Sequence, residues 1–267
     1  MRSHCATVTR FRFASSSILT LLSLSPTALI LAMAAAFLAA FVRGLTGFGM
    51  AILLVPLLGL MILPVEAVTV SNLVALMIGL AGLRSAWAAA DRTSVMTIGA
   101  LAMVATAPGL WLLSVTPPEL ARLLIAGVAL LAFVLVLLPP HPDGHRPHRA
   151  ETAATGLAAG VLTGFAGMPG PPVVPYYLRQ AIPSAKARAS MLAVFFATSL
   201  ASSGAALGMG LADRNTALLA LALFGPVLLG NWLGGKLFGR VPDRIWRWLV
   251  ALLLGASALA ALIRLLQ

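Results

Sequence analysis

Arg43-Gly44-Leu45-Thr46-Gly47-Phe48-Gly49-Met50 sits inside a long apolar run that continues to Pro56. Its glycines and the following proline interrupt a segment long enough to cross a bilayer, where an ordinary helix has no reason to break. A second such stretch, Gly160-Val161-Leu162-Thr163-Gly164-Phe165-Ala166-Gly167-Met168-Pro169-Gly170-Pro171-Pro172, runs on to Pro175. Broken helices at matching places in two halves of a membrane chain are the sequence mark of a transporter's binding site.

The composition agrees. Of 267 residues, 60% are hydrophobic and 9% charged, and the mean hydropathy is +1.01. That leaves too little polar surface to cover a water-soluble globule, so the lipid bilayer is the chain's main partner. The net charge of +11 comes from basic residues scattered over short connections rather than gathered in a stripe, which argues against nucleic acid. Trp87, Trp232, Trp246 and Trp248 fall near predicted helix ends, where interfacial anchoring accounts for them. Cys5 is the single cysteine, so no intrachain disulfide or cysteine-based metal cluster can form. His141, His145 and His148 lie in a proline-rich connection and match no ligand spacing, so neither metal nor cofactor is expected.

Apolar runs bounded by turn signals predict an all-α polytopic bundle of about eight membrane segments. Residues 1–26 form a basic tail and the start of the first apolar run, with Arg2, Arg10 and Arg12 suggesting a cytoplasmic approach to an uncleaved segment. A first transmembrane repeat covers 27–138, with segments at 27–42 continuing through a break into 48–62, then 66–89, 94–115 and 119–138. A polar linker occupies 139–151. The second repeat covers 152–267, with 152–168 continuing through a break into 171–180, then 186–211, 214–238 and 244–265.

The internal repeat is read from matches in one order. Leu45-Thr46-Gly47-Phe48 matches Leu162-Thr163-Gly164-Phe165, followed by Pro56 with Pro175, Ser71 with Ser190, and Gly109-Leu110-Trp111-Leu112 with Gly230-Asn231-Trp232-Leu233. Basic residues fall on different connections in the two halves, after the second segment in one (Arg84, Arg92) and after the first and third in the other (Arg179, Lys186, Arg188, Lys236, Arg240). That shift is the signature of inverted repeats and requires broken first segments that cross differently, for instance as re-entrant hairpins; a parallel arrangement stays open.

Backbone that leaves helical geometry at membrane depth survives only where it is buried in protein or lines a polar cavity, and there its groups become ligands. A half-helix starting after such a break directs N–H groups and a positive dipole end at a substrate, which suits an anion. Gly44, Gly47, Gly49, Gly164, Gly167 and Gly170 are therefore candidate substrate-binding positions, and Pro56, Pro171, Pro172 and Pro175 the structural helix breaks. Arg43 is an intramembrane cation whose natural partner is a transported anion, set against an arginine snorkelling to the interface. Arg188 and Ser190 are weaker candidates of the same kind. Glu66, Asp91, Glu119, Asp143, Glu151, Asp213 and Asp243 all fall at predicted ends or connections, which disfavours a carboxylate-based cation site. Asn72, Asn231, Thr198, Ser199, Ser202 and Ser203 offer neutral hydrogen bonds or simple helix packing.

At these residues the sequence resembles the sulfite exporter TauE/SafE family of bacterial permeases. The resemblance rests on Arg43-Gly44-Leu45-Thr46-Gly47-Phe48-Gly49 to Pro56, on Gly164 through Val174 to Pro175, and on Lys186-Ala187-Arg188-Ala189-Ser190, and it extends from about residue 28 to the end. It implies about eight membrane segments, a multi-pass location in a bacterial inner membrane, and transport of a small organic or inorganic anion, often a sulfur-containing one. Met168-Pro169 between Gly167 and Gly170, and Met50-Ala51 after Gly49, depart from the family's usual glycine run. Catalytic residues are not expected. An intramembrane enzyme would need a His-Glu-x-x-His, a midplane acid pair or a membrane histidine, and a non-transporting scaffold would tolerate bulky residues in the glycine segments. Homo-oligomer formation, direction and coupling ion stay open.

Overall fold

The computed structural model describes residues 25–137 and 147–237. The predicted tail, most of the linker and the last predicted span at 244–265 lie outside the described residues. Within them the chain is all helical: α1 (Pro26–Thr46), α2 (Met50–Gly59), α3 (Pro64–Ala89), α4 (Arg92–Val115), α5 (Pro118–Leu137), α6 (Arg149–Ala166), α7 (Gly170–Leu178), α8 (Ser184–Gly208) and α9 (Arg214–Lys236). Among the described residues, α1, α3, α4, α8 and α9 are long and apolar enough to cross a membrane, and α2 is a shorter apolar helix. At 1.5 Å per residue α2 and α7 reach only about 15 Å, half the hydrocarbon thickness.

Helix starts follow local chemistry. Pro26 and Pro64 occupy first-turn positions where no N–H partner is needed. Ser25 accepts from the N–H of Ala28 (3.2 Å) and Asp213 from that of Thr216 (2.8 Å), a bond that holds the Asp213 carboxyl below the usual carboxylate range. His148 caps α6, its Nδ1 accepting from the Ala150 N–H (3.3 Å). His141 and His145 lie outside the described residues.

Glycines set the tightest packing. A Cβ at Gly156 would meet Ile98, one at Gly160 would fall on the Ala102 carbonyl, and one at Gly164 on the Thr106 carbonyl, so α6 lies against the α4 backbone. Residue numbers rise together along that contact, so α4 and α6 run parallel. In the same way Gly230 and Gly234 of α9 lie on the carbonyls of Phe37 and Phe41 of α1, so α1 and α9 run parallel. Between α3 and α8 the numbers run in opposite senses, with Gly79 facing Phe196 and the Asp91 N–H donating to Ser190 Oγ at 2.8 Å. These two helices are antiparallel.

The directions have one consequence for the broken segments. Short connections make α3–α4 and α8–α9 antiparallel pairs. Because α1 follows α9, α9 opposes α8 and α8 opposes α3, α1 and α3 point the same way, which requires α2 to turn back. Hydrogen bonds show that it does. Arg122 Nε at the start of α5 donates to the Gly59 carbonyl at the end of α2 (2.9 Å), and α5 begins at the face where α4 ends. In the other half the Tyr176 and Thr152 hydroxyls lie 3.0 Å apart, tying the end of α7 to the start of α6. Hence α1–α2 and α6–α7 are re-entrant hairpins, and they enter from opposite faces.

The Arg122 bond places a cation on the carbonyl end of α2, where the helix dipole favours it. Arg122→Met is expected to lower stability by about 1 kcal/mol, below the usual range for a charged hydrogen bond because the side chain is only part-buried. Hydrogen exchange measured by mass spectrometry should then rise in 59–63 and stay unchanged in α8. Trp87, Trp111 and Trp232 are exposed near helix ends, and Lys236 Nζ lies 3.6 Å from the Trp232 ring centroid. Trp246 and Trp248 lie outside the described residues.

Candidate functional site

The two hairpin turns are built differently. In the first, Gly47 (φ 86°) and Gly49 (φ 92°) both adopt left-handed backbone that a side chain would strain. The Gly47 N–H closes on the Arg43 carbonyl (2.6 Å), and Thr46 Oγ1 accepts from the Phe48 N–H (3.2 Å) while facing the carbonyls of Val42 (2.9 Å) and Phe48 (2.8 Å). In the second turn Gly167 (φ 69°) ends α6, with its N–H on the Thr163 carbonyl (2.9 Å) and the Met168 N–H on the Leu162 carbonyl (3.1 Å). The Gly167 bond is the 5→1 closure of a glycine-terminated helix end of the αL type.

The turn glycine of the second half is thus Gly167, one turn beyond the Gly164 that the Leu-Thr-Gly-Phe match sets opposite Gly47. Gly164 and Gly44 share a different job. A Cβ at Gly44 would fall on Asn231, Gly234 and Gly235, and one at Gly164 on Thr106, Gly109 and Leu110. Both are contacts between helix backbones.

The turns meet at a cavity of about 50 Å³. Gly49, Met50, Ala51 and Ile52 line it from the first hairpin, and Gly167, Met168, Pro169 and Gly170 from the second. Asn72 and Ala75 of α3, Phe195 and Ser199 of α8, Arg43 and Phe48 complete the wall. Ala75 and Phe195 fall near the middle of α3 and α8, so the cavity is at mid-depth. Its volume suits a few waters or one small anion.

Donors are unequally shared. The opening N–H groups of α2, from Gly49 to Ile52, have no intrahelical partners, and no side chain caps them. In α7 the corresponding turn holds Pro169, Pro171 and Pro172, which carry no N–H, leaving Gly170 as the donor. Pro171 and Pro172 do occupy the opening turn of a half-helix, as their sequence context predicts. Pro56 and Pro175 stand inside α2 and α7.

Arg43 is 8% exposed, and its Nη1 has no hydrogen-bond partner among the described residues. It lines the central cavity and also a second one of about 100 Å³ with Arg188 and Asn231. Arg188 Nη2 donates to the Gly44 carbonyl at 3.0 Å, and its side chain lies across Gly47 so closely that a Cβ there would come within 2.6 Å of Arg188 Cγ. Ser190 is fully buried, accepting from the Asp91 N–H and donating to the Lys186 carbonyl (2.9 Å), so it joins α8 to the start of α4 and does not reach the cavity.

Of the candidate residues, the structure therefore brings Arg43, Gly49, Gly167 and Gly170 together at the central cavity. Gly47 shapes the turn, Gly44 and Gly164 hold helices together, and Arg188 belongs to the second cavity. Asn72, whose Nδ2 is 3.5 Å from the Thr163 carbonyl, and Ser199 join the site as polar residues within membrane-length helices, a signal visible in sequence. Phe195 and Met168 carried no such signal. Among the described residues no carboxylate lines either cavity, and no group of three metal-ligating side chains occurs.

No curated protein and no solved structure matches this chain. The sequence model of the sulfite exporter TauE/SafE family, a family of membrane transporters rather than enzymes, matches residues 32–261. That range takes in both hairpin turns, Arg43, Arg188 and the helices that carry them. The chain is a multi-pass membrane permease and belongs to the sulfite exporter TauE/SafE family.

Proposed function

We propose that the chain moves a small anion through the central cavity, with Arg43 and the opening N–H groups of α2 as its main ligands. The observation that carries this reading is the Arg43 guanidinium, nine-tenths buried and with Nη1 unpartnered among the described residues, at a cavity that no carboxylate of those residues lines. A buried cation in that state is costly until an anion arrives. The family supports a sulfur-containing oxyanion, sulfite or a small sulfonate, and the cavity's size supports a compact one.

Two inverted repeats, 27–138 and 152–267, are the architecture we assign. Its support is the reciprocal packing of α4 on α6 and α9 on α1 about the antiparallel pair α3 and α8, with hairpins entering from opposite faces. Such a pair lets one repeat rock against the other around a fixed site. The face carrying Arg84, Arg92, Arg149, Arg179 and Lys186 is assigned to the cytoplasm of a bacterium, the membrane being the inner one. That orientation leaves Ser25 at the opposite face, contrary to the expected cytoplasmic approach to the first segment.

Proteoliposomes containing the full chain test the reading. Saturable sulfite flux, reduced by competing small sulfonates, is the expected result. Protein that is folded by size exclusion yet moves only cations, or no anion at all, would remove the proposal.

A further inference from the structure

A groove of about 660 Å³ opens on the outer surface of the bundle, where α3, α4 and α8 meet. Gly99, Ala193 and Ala197, small and buried or half-buried, form its floor, and Leu80, Met96 and Met103, 41–65% exposed, stand at its edges. In a bundle set in lipid this face meets acyl chains instead of water. Along α4 the groove runs from Val95 to Met103, about 12 Å at 1.5 Å per residue, which is most of one leaflet's half of a hydrocarbon core roughly 30 Å thick. Its outer end lies at the basic face. Arg84 and Trp87 of α3 line it there, and Arg92, opening α4, has its guanidinium carbon 6.0 Å from the Trp87 ring centroid. Both arginines are exposed. No carboxylate lines the groove among the described residues, and Asp91, the acid of the α3–α4 connection, is half-buried with its N–H on Ser190.

We infer that the groove is a binding site for an anionic phospholipid of the leaflet on the basic face, one acyl chain filling it and the phosphate held at Arg84 and Arg92. The inference stands apart from the anion-permease reading and does not depend on it. Three features select this occupant. The walls are apolar over the whole depth, which suits a hydrocarbon chain and would leave the groups of a polar ligand unsatisfied. The length is that of one leaflet, so a chain lying in the groove keeps its headgroup at the interface. The mouth is positive: two arginines stand on either side of Trp87, an aromatic of the interfacial kind, and a guanidinium pairs with phosphate through two parallel hydrogen bonds. A chain seated there packs on Phe196, which faces Gly79 across the α3–α8 contact and follows Phe195 of the central cavity wall. Bound lipid therefore braces the antiparallel helix pair that walls the central cavity.

Ala100 gives a way to block the groove without touching either arginine. It lies on the groove and is exposed, so a larger side chain there enters the space that the acyl chain would use. The full chain, delipidated in a mild detergent, is offered phosphatidylglycerol or phosphatidylcholine with identical acyl chains. Retained lipid is counted by native mass spectrometry, and the melting temperature is a second readout. Wild type is expected to retain one phosphatidylglycerol per chain with a preference of at least about fivefold over phosphatidylcholine, and to melt higher in its presence. The double variant Arg84→Gln/Arg92→Gln should bring that preference within about twofold. Ala100→Phe should cut phosphatidylglycerol retention by at least about fivefold and abolish the lipid-dependent melting shift. Its folding is checked by size exclusion, and the arginine double variant, altered only at exposed positions, carries the test if it fails. Equal retention of the two lipids by wild type, an unchanged preference in the double variant, or undiminished retention in Ala100→Phe overturns the site. So does a wild-type dimer that Ala100→Phe converts to monomer, which would give the groove to a second copy of the chain.

Discussion

Arg43→Gln is expected to abolish sulfite-dependent thermal stabilisation and to cut sulfite flux by at least about 30-fold, while leaving the anion-free protein as stable as wild type or slightly more so. The opposite signs follow from one fact. In the anion-free structure the Arg43 guanidinium is buried with Nη1 unpartnered among the described residues, so it weighs against the folded state. Glutamine, shorter and neutral, removes the charge and with it that penalty, and removing a poorly paired buried charge is often neutral or favourable. With an anion present the balance reverses. Losing one partner of a buried, hydrogen-bonded charge pair costs about 2–5 kcal/mol, and each 1.4 kcal/mol is a factor of ten. A ligand stabilises only the state it binds, so the sulfite-induced shift in melting temperature reports the same loss independently of flux. Reduced melting temperature of the anion-free variant, with flux intact, would show that Arg43 holds structure instead of substrate.

Gly164→Ala should be among the most damaging single-atom additions available in this chain. A Cβ at 164 falls on the Thr106 carbonyl, the Leu110 nitrogen and the Gly109 carbonyl carbon, all backbone, so no side-chain rotation relieves it. Either α6 and α4 move apart or α6 turns about its axis, and both disturb the turn at Gly167 one turn further on. Overpacking of a close-packed interface costs about 1–3 kcal/mol. Here the neighbours are rigid helix backbones, so the upper part of that range is expected, seen as reduced folded yield and a lower melting temperature. Gly204→Ala is the matched control. Nothing lies within 4 Å of a Cβ there, and replacing a mid-helix glycine then stabilises by up to about 1 kcal/mol. Equal behaviour of the two variants would mean that the α4–α6 contact does not depend on close backbone approach.

The same residue shows where sequence reading misleads. Leu45-Thr46-Gly47-Phe48 and Leu162-Thr163-Gly164-Phe165 are the most alike segments of the two halves, and they suggest that Gly47 and Gly164 share a role. In the structure they do not. Gly47 ends a helix with positive φ, whereas Gly164 lies inside α6 and packs on α4 as Gly44 packs on α9. Glycine serves both purposes, backbone freedom and close approach, and only dihedral angles and neighbours tell them apart. Ser190 teaches the same lesson. Its spacing from Arg188 placed it near a binding site, but its hydroxyl closes the α3–α4 connection through the Asp91 N–H.

Much of this protein was determined by the order of its residues alone. Hydrophobic runs of bilayer length require helices in lipid because no other open structure satisfies the backbone there, and the two glycine-proline segments mark where those helices break. An arginine in a segment otherwise free of charge marks a candidate site, since so costly a group needs a partner. Tertiary structure alone decided that the breaks are turns of hairpins entering from opposite faces. Helix direction is a property of contacts between segments far apart in the chain: Gly156 with Ile98, Gly230 with Phe37, and Gly59 with Arg122. Those contacts also separated turn glycines from packing glycines and placed Arg188 at a second cavity beside Arg43, because which space a side chain enters depends on the neighbours that shape that space.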